Sequence, residues 1–281
     1  MVSLAASWIN WGFGLVVGAL FAKELARQIK VDYRLLVASA YSGFIVWHGG
    51  LAGSIPLSIA TEGHPFADIT GLIPTSQTIF STYNLIIVAA LFVVVPLVNR
   101  AMMPSETDSV YIDPALLKTD ETTTPDTRSP AEFLETTPIL SVLIGVAGAA
   151  WLIQYFAAGN GLSLNVINFL FLTLAMLNAL NEAGKGGAGI VIQFPFYAGI
   201  MAIMVQTGLA ATVSEGLVGL ATETTLPFWS FLSAGIVNFF VPSGGGQWAV
   251  QAPVILPAAQ ALGADLGRAS MAVAWGDAWT N

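Results

Sequence analysis

Long stretches without a charged side chain are the strongest constraint on how this chain folds. Six stretches contain no Asp, Glu, Lys or Arg, namely residues 1–22, 35–61, 69–99, 139–181, 186–214 and 224–264. Each is long enough to cross a hydrocarbon core, which takes about 20 apolar residues as a helix. Membrane β-strands would instead alternate apolar and polar residues over about ten positions, whereas these stretches are continuously apolar. The pattern therefore predicts an all-α, polytopic membrane protein.

The charge distribution excludes several other classes of protein. Charged residues make up 9% of the 281 residues, against roughly 25% in a soluble domain. The net charge is −8, and residues 99–138 hold eight acids against three basic residues. We interpret that stretch as an acidic cytoplasmic linker between two membrane halves. The acidic balance argues against a nucleic-acid partner, and the absence of cysteine excludes disulfides and thiolate metal sites. No cofactor is expected.

The basic residues predict the orientation of the chain. Eight of the nine Lys and Arg residues fall on alternate connections between apolar segments, and Arg268 is the exception. Connections rich in Lys and Arg stay in the cytoplasm. We therefore expect a multi-pass protein of the inner (plasma) membrane, with the lipid bilayer as its surroundings and these connections inside the cell.

Residues 226–262 are too long for one ordinary span. Pro242-Ser243-Gly244-Gly245-Gly246 divides them into two arms of roughly 16 residues, a length that suits a re-entrant hairpin. The alternative is a spanning helix up to Val241, followed by a glycine-rich loop and an interfacial helix.

The two ends of the chain present similar features in the same order. Residues 9–14 precede an apolar stretch, a connection with Asp32 and then residues 41–43; residues 237–246 precede an apolar arm, a connection with Asp265 and then residues 275–277. This order predicts a duplicated unit whose copies have opposite orientations, and such inverted repeats with broken helices are typical of secondary transporters.

The duplication predicts how the chain is divided. Residues 1–98 would form part of a first repeat, with a hairpin tip, a broken helix and one further span. Residues 99–138 would be the linker. Residues 139–281 would form an incomplete second repeat, with three spans, the hairpin 226–262 and the start of a broken helix. On this reasoning we expect the chain to be truncated at both ends.

Four segments resemble the prokaryotic short-chain fatty acid transporter family. They are residues 9–18 (INWGFGLVVG), 193–200 (QFPFYAGI), 241–246 (VPSGGG) and 257–267 (PAAQALGADLG). The resemblance extends from end to end of the chain. It implies uptake of short monocarboxylates such as butyrate or acetoacetate by a protein built from inverted repeats, with additional membrane segments before and after this region.

The predicted substrate site uses backbone groups, because every Lys and Arg lies in a connection. Free N–H groups and the positive dipole end at the start of a half-helix bind anions, and glycine permits close approach. The candidate substrate-binding residues are Asn10, Gly12, Gly14, His48, Gly49, Gly50, Ser54, Asn238, Ser243, Gly244, Gly245, Gly246 and Gln247. For each polar residue alone, a hydrogen bond between helices is the alternative.

Two ionisable residues lie within apolar stretches and are candidates for coupling. His48 could exchange a proton near neutral pH; its alternative is a neutral histidine bonded to a backbone carbonyl. Asp277, with Asn281, could bind a sodium ion or a proton; its alternative is an interfacial acid. The coupling ion, the substrate chain length and the oligomeric state, a homo-oligomer included, stay open.

Other functions fit the sequence less well. Ser243 and Asp277 lack the partners of an intramembrane protease, and two histidines without cysteine make a zinc site a poor interpretation. We therefore expect no enzyme. We predict a symporter for short-chain fatty acids, driven by a sodium or proton gradient, with an anion channel built on the same hairpins as the alternative.

Overall fold

The computed structural model describes residues 1–113, 139–178 and 199–280. Within these ranges the fold is helical and has no strand, which confirms the predicted all-α class. The α-helices are α1 (Val2–Ile9), α2 (Trp11–Gln28), α3 (Tyr33–Ser42), α4 (Ser54–Ile59), α5 (Ala67–Thr70), α6 (Thr82–Ala101), α7 (Ile139–Ala157), α8 (Leu164–Asn178), α9 (Gly199–Gln206), α10 (Leu209–Leu220), α11 (Leu226–Asn238), α12 (Gly244–Leu262) and α13 (Leu266–Ala278). Two 3-10 helices span Gly43–Gly49 and Thr75–Gln77.

Apolar helices in the described ranges are long enough to cross a membrane. Tyr33–Ile59 and Thr82–Ala101 pass by length and composition, and α9 with α10 would make a third span although they are bent by 72°. The outer faces of α6 and α11 carry exposed Val, Leu and Phe side chains, as lipid-facing helices do. The chain is therefore a membrane protein with apolar helices; its full set of spans and its orientation stay predictions.

Contact between Cα positions divides the chain into two units. One unit comprises Met1–Leu117 and Phe194–Asn281, and the other comprises Lys118–Gln193. In the second unit α7 packs on α8, where Gly148 lies against Thr173 and the rings of Trp151 and Phe169 meet edge to face at 4.8 Å.

The core of the first unit lies around α12 and α13. Most residues of α13 from Gly267 onward are buried, and so is the middle of α12 from Gln251 to Ala259. Both helices are rich in Ala and Gly, whose small side chains let helix backbones approach closely. At one such contact, a Cβ atom on Gly276 would overlap the carbonyl oxygen of Phe231 in α11.

The helices at the two ends of the chain make the same set of contacts. α1 packs on α2 and on the 3-10 helix Gly43–Gly49, and α2 packs on α3. Likewise α11 packs on α12 and on α13, and α12 packs on α13. These pairs of neighbouring helices are compatible with the predicted duplicated order, while the duplication itself and the opposite orientation of the copies across a bilayer stay predictions.

Helix caps recur at the same spacing in the two regions. Asn10 caps α2 and Asp32 caps α3, while Ser243 caps α12 and Asp265 caps α13. Both pairs are 22 residues apart, 10 to 32 and 243 to 265. Each cap oxygen accepts a hydrogen bond from an amide N–H three residues later, which satisfies a donor that the helix leaves unpaired.

Part of the predicted linker is attached to the first unit. Helix α6 continues to Ala101, beyond the predicted boundary at residue 98, and residues 108–110 contact the start of α3. Residues 114–138 lie outside the described ranges. Also outside these ranges are Lys185, residues 193–198 and Asn281, and the predictions that involve these residues stay predictions.

Asp32 holds residues 108–110 against α3. Its Oδ1 accepts from Leu35 N–H at 2.9 Å, and its Oδ2 accepts from Val110 N–H at 2.8 Å and from Arg34 Nη2 at 2.9 Å. The guanidinium of Arg34, and after it the amide groups of Val110 and Leu35, hold the pKa of Asp32 well below its usual range. The carboxylate form is thus the one that stabilises this connection.

We expect Asp32→Asn to lower the thermal midpoint of the purified protein in detergent at neutral pH. Because the pKa of Asp32 is lowered by folding, its stabilisation is complete above the unfolded pKa of about 4 and is lost as the pH falls further. The difference between the variant and the unmodified protein should therefore shrink between pH of about 5 and about 2. Asp265→Asn, which alters a cap without the contacts to Val110 and Arg34, is the control and should lower the midpoint less. An equal loss in the two variants would contradict this role of Asp32.

Candidate functional site

The helix that begins at Tyr33 breaks in a glycine-rich segment. The chain changes from α-helix to 3-10 helix at Gly43, leaves the helix at Gly50 and resumes helix at Ser54. The free backbone of this break is satisfied from α1, since Leu51 N–H donates to the Trp8 carbonyl at 2.8 Å. A side chain at Gly50 would overlap that same carbonyl, so glycine permits the close approach.

A buried contact between a histidine and an aspartate joins this break to α13. Nε2 of His48 lies 2.8 Å from Oδ2 of Asp277, and both side chains have 0% exposure. The two residues are 229 positions apart in the chain. Ionisable groups with no access to water are retained in membrane proteins when they are paired, and such positions are commonly functional. The structure therefore brings together the two residues that the sequence suggested separately for coupling.

The first residue of α12 lies directly against this pair. A Cβ atom on Gly244 would be 2.5 Å from both Cε1 and Nε2 of His48 and 2.6 Å from the ring of Trp47. Those distances are far below van der Waals contact, so the position requires glycine. The start of α12 is thereby placed beside the imidazole.

The beginning of α12 offers unused hydrogen-bond donors. Ser243 Oγ accepts weakly from Gly246 N–H at 3.4 Å, and the Ser243 carbonyl accepts from Gln247 N–H at 2.7 Å. The amides of Gly244 and Gly245 donate no hydrogen bond within the described part of the chain. Gly244 is buried and Gly245 is half-buried. Two free N–H groups at the positive end of a 19-residue helix form an environment that favours an anion.

The start of α2 also contacts Trp47. The rings of Trp11 and Trp47 meet edge to face with centroids 6.3 Å apart. Asn10 caps α2 by accepting from Phe13 N–H at 2.9 Å. Trp47 therefore contacts the first residue of α2 and the first residue of α12 at once.

Asn238 and Gln247 extend the polar region between α11, α12 and α13. Asn238 Nδ2 donates to the Asp277 carbonyl at 3.3 Å and to Thr280 Oγ1 at 3.1 Å. Gln247 Nε2 donates to the Ala234 carbonyl at 2.9 Å. The side-chain oxygens of both residues, and Nδ1 of His48, are buried and have no hydrogen-bond partner among the described residues.

Comparison with known proteins assigns the family. The sequence profile of the family described as "Short chain fatty acid transporter" matches residues 1–281. The chain belongs to this family. A protein of Escherichia coli (strain K12) named "Putative short-chain fatty acid transporter" is 46% identical over 287 residues, which cover 97% of this chain and 65% of that protein.

A second relative gives the same result. A protein of Haemophilus influenzae with the same name is 42% identical over 294 residues, covering 97% of this chain and 66% of that protein. The chain thus spans about two thirds of the length of these curated relatives. No solved structure matches it significantly. The predicted membership of the short-chain fatty acid transporter family is confirmed.

Some of the predicted site residues of this family member lie close together in the structure, and the others make separate contacts. Four of them, His48, Asn238, Gly244 and Asp277, lie together, and Gln247 donates to the Ala234 carbonyl of α11 from the first turn of α12. Gly49 and Gly50 pack on Trp275 and Trp8 respectively, Gly14 packs on Ser7 of α1, and Gly12 lies 3.4 Å from the cap oxygen of Asn10. Ser54 begins α4, and Ser243 caps the helix that starts with Gly244 to Gly246. Whether any of these residues binds substrate stays a prediction.

Sequence reasoning missed Asn84. This side chain of α6 is fully buried. Its oxygen accepts from Trp275 Nε1 at 3.0 Å and its nitrogen donates to the Gly49 carbonyl at 3.0 Å, so it joins α13 to the break after Gly49. It also donates to the Ile79 carbonyl at 2.7 Å. An asparagine inside the charge-free stretch 69–99 was the available signal, but nothing near it in the sequence indicates its partners.

We expect Gly244→Ala to destabilise the protein by about 1–3 kcal/mol, because the new methyl group would collide with His48 and Trp47 and force them to move. Unfolding in detergent, followed by heat or denaturant, measures the change. Gly216→Ala is the matched control, since Gly216 also lies in a helix and a Cβ atom there meets nothing within 4 Å. The control should be neutral or stabilising. Equal stability of the two variants would show that the contact between Gly244 and His48 is not close.

Proposed function

We propose that the protein is a secondary active transporter that carries short monocarboxylates, such as butyrate or acetoacetate, together with a cation whose gradient drives uptake. One observation carries the proposal: the free N–H groups at the start of α12 lie beside the buried contact between His48, in the broken segment after α3, and Asp277 of α13. Family membership supports transport as the function. The names of the two relatives support the substrate class.

The substrate carboxylate would bind at the start of α12. The amides of Gly244 and Gly245 are donors of the kind that hold carboxylates at helix N-termini. Aromatic and apolar surface for a short alkyl chain is available from Trp47 and Trp11 close by. Such a site has few polar groups that fix one end of the ligand and an apolar remainder, as small-molecule sites commonly do.

The repeated contacts and caps support a transporter built from two related halves. Asn10 and Ser243 start the equivalent helices α2 and α12, and both helix starts contact Trp47 or lie next to a residue that does. In transporters with inverted repeats, substrate binds where two such broken segments meet. We propose that the copies cross the inner membrane in opposite orientations and that α11 with α12 forms a re-entrant hairpin.

The coupling cation is proposed to be sodium or a proton. Sodium prefers oxygen ligands, and the region between α11 and α12 contains the buried amide oxygens of Asn238 and Gln247. A proton prefers a titratable group, and His48 and Asp277 supply two. Either cation would offset the negative charge of a carboxylate as it enters a site without water.

We expect Gly245→Val to abolish uptake of labelled butyrate by proteoliposomes that contain the full-length protein, with normal expression and reconstitution. A branched side chain on the half-buried Gly245 would cover the free amides of α12. The control is Gly216→Val, the same change at a helical glycine with open space around it. Undiminished uptake by Gly245→Val would remove the start of α12 from substrate binding.

The same proteoliposomes separate a transporter from an anion channel. Uptake by a transporter saturates with butyrate and requires the gradient of the coupled cation, whereas a channel conducts butyrate without that gradient. Conductance that persists after the cation gradients are abolished would contradict the proposal.

A further inference from the structure

We propose that His48 binds the coupling proton at the moment the substrate binds, so that the cotransported cation is H⁺ and one proton accompanies each carboxylate. This inference rests on the proposed function. The imidazole already uses Nε2 in its bond to Asp277, while Nδ1 is buried without a hydrogen-bond partner among the described residues. A substrate carboxylate would accept from Nδ1–H, and the doubly protonated ring would then donate to two carboxylates at once.

The position of Asp277 makes the proton necessary. A substrate carboxylate at the start of α12 would stand close to the carboxylate of Asp277, since His48 contacts both places. Two negative charges in a buried site repel strongly, because little solvent screens them. A proton on His48 places a positive charge between them, and each carboxylate then receives a charge-assisted hydrogen bond.

The charge balance fixes the stoichiometry. In the state before binding, the proposal has a neutral His48 that donates through Nε2–H to the carboxylate of Asp277. After binding, the substrate adds one negative charge and the proton on Nδ1 adds one positive charge, so the local charge is unchanged. Transport of one carboxylate with one proton moves no net charge across the membrane.

Other ionisable groups on the elements packed around His48 are placed elsewhere. Helices α1, α4 and α12 contain no Asp, Glu, Lys, Arg, His or Tyr. In α3, Tyr41 stacks on Phe44, and Arg34 bonds to Asp32. In α6, the Tyr83 hydroxyl donates to the Gln77 carbonyl and its ring lies 5.6 Å from Arg268 of α13; Arg100 is at the far end of α6. In α2, Lys23, Glu24 and Arg27 lie in the last two turns, away from Trp11. Asp277 is therefore the ionisable partner that contacts His48.

A direct test needs no variant. Binding of butyrate to the purified full-length protein in detergent, followed in weakly buffered solution at slightly alkaline pH with a pH indicator, should take up about one proton for each butyrate bound. Binding without proton uptake would overturn the proposal. It would leave the proposed transport of short carboxylates intact, because binding itself would have been observed.

Transport measurements identify the cation. An inward proton gradient without sodium should drive accumulation of labelled butyrate, and an imposed potassium diffusion potential should not change it. Protein-free liposomes are measured in parallel, because protonated butyric acid crosses lipid by itself. Accumulation driven by sodium and not by protons would overturn the inference while supporting the proposed function. Absence of any butyrate accumulation or exchange would contradict the proposed function itself.

Variants then test His48. His48→Gln keeps one N–H donor but cannot be protonated, so it should lose proton-driven accumulation and pH dependence while still exchanging internal for external butyrate. Its affinity should fall about tenfold or more, because a neutral hydrogen bond replaces a charge-assisted one and no proton offsets the repulsion between the two carboxylates, so exchange should require a higher butyrate concentration. His64→Gln is the control, because this second histidine bonds to the Gly71 carbonyl, outside the site. Proton-driven accumulation by His48→Gln with unchanged pH dependence would overturn the assignment.

Asp277→Asn tests whether Asp277 acts as a positioning residue for His48. Without the negative charge, His48 holds its proton less tightly, so the pH of half-maximal uptake should move down by about one unit or more. A role confined to structure would lower the rate at every pH and leave the shape of the pH profile unchanged, and that result would contradict the proposal. Should His48→Gln fail to fold, this pH shift together with proton uptake by the unmodified protein decides the question.

Discussion

The structure depends on a single buried hydrogen bond between His48 and Asp277. Both side chains are fully buried in a chain whose surroundings are lipid, so each would be unfavourable alone. Together they tie the 3-10 helix Gly43–Gly49 to α13, and the neighbouring Trp275 and Gly49 are bridged by Asn84. Removing either residue would remove this bond, so the hydrogen bond adds to packing in holding the 3-10 helix against α13.

Glycine makes this packing possible, because it has no side chain at the positions where another segment comes very close. Gly244 lets the start of α12 reach the imidazole, Gly50 admits the Trp8 carbonyl, and Gly276 admits the Phe231 carbonyl. In lipid, backbone groups released from a helix must find partners inside the protein. The break after Gly49 meets this requirement through Leu51 N–H, whereas the amides of Gly244 and Gly245 are left without a hydrogen bond in the described chain. That difference is why we propose the start of α12, and not the break after Gly49, as the substrate-binding site.

Sequence reasoning reached the helical class and the interruptions at Asn10 and at Ser243, because charge-free length and glycine clusters are local signals. The family followed from the resemblance of four segments. Sequence reasoning also singled out His48 and Asp277, since an ionisable residue in an apolar stretch is conspicuous by itself. It did not predict their pairing: 229 residues separate them, and no periodicity connects two residues that only tertiary packing brings together. Asn84 was missed for the same reason. The orientation of the repeats depends on the bilayer, which sequence addresses only through the distribution of Lys and Arg.

The pair of His48 and Asp277 offers a physical reason why Lys and Arg are absent from the apolar stretches. A permanent cation would bind a carboxylate strongly in a site without water and would remain as an uncompensated charge after the substrate left. In the mechanism that we propose, histidine avoids both problems, because it would be positive when an anion occupies Nδ1 and neutral when none does. By linkage, the carboxylate raises the affinity of His48 for the proton by the same factor as the proton raises the affinity of the site for the carboxylate. A carrier must release its substrate on the other side, and a cation that can lose its charge provides for that release.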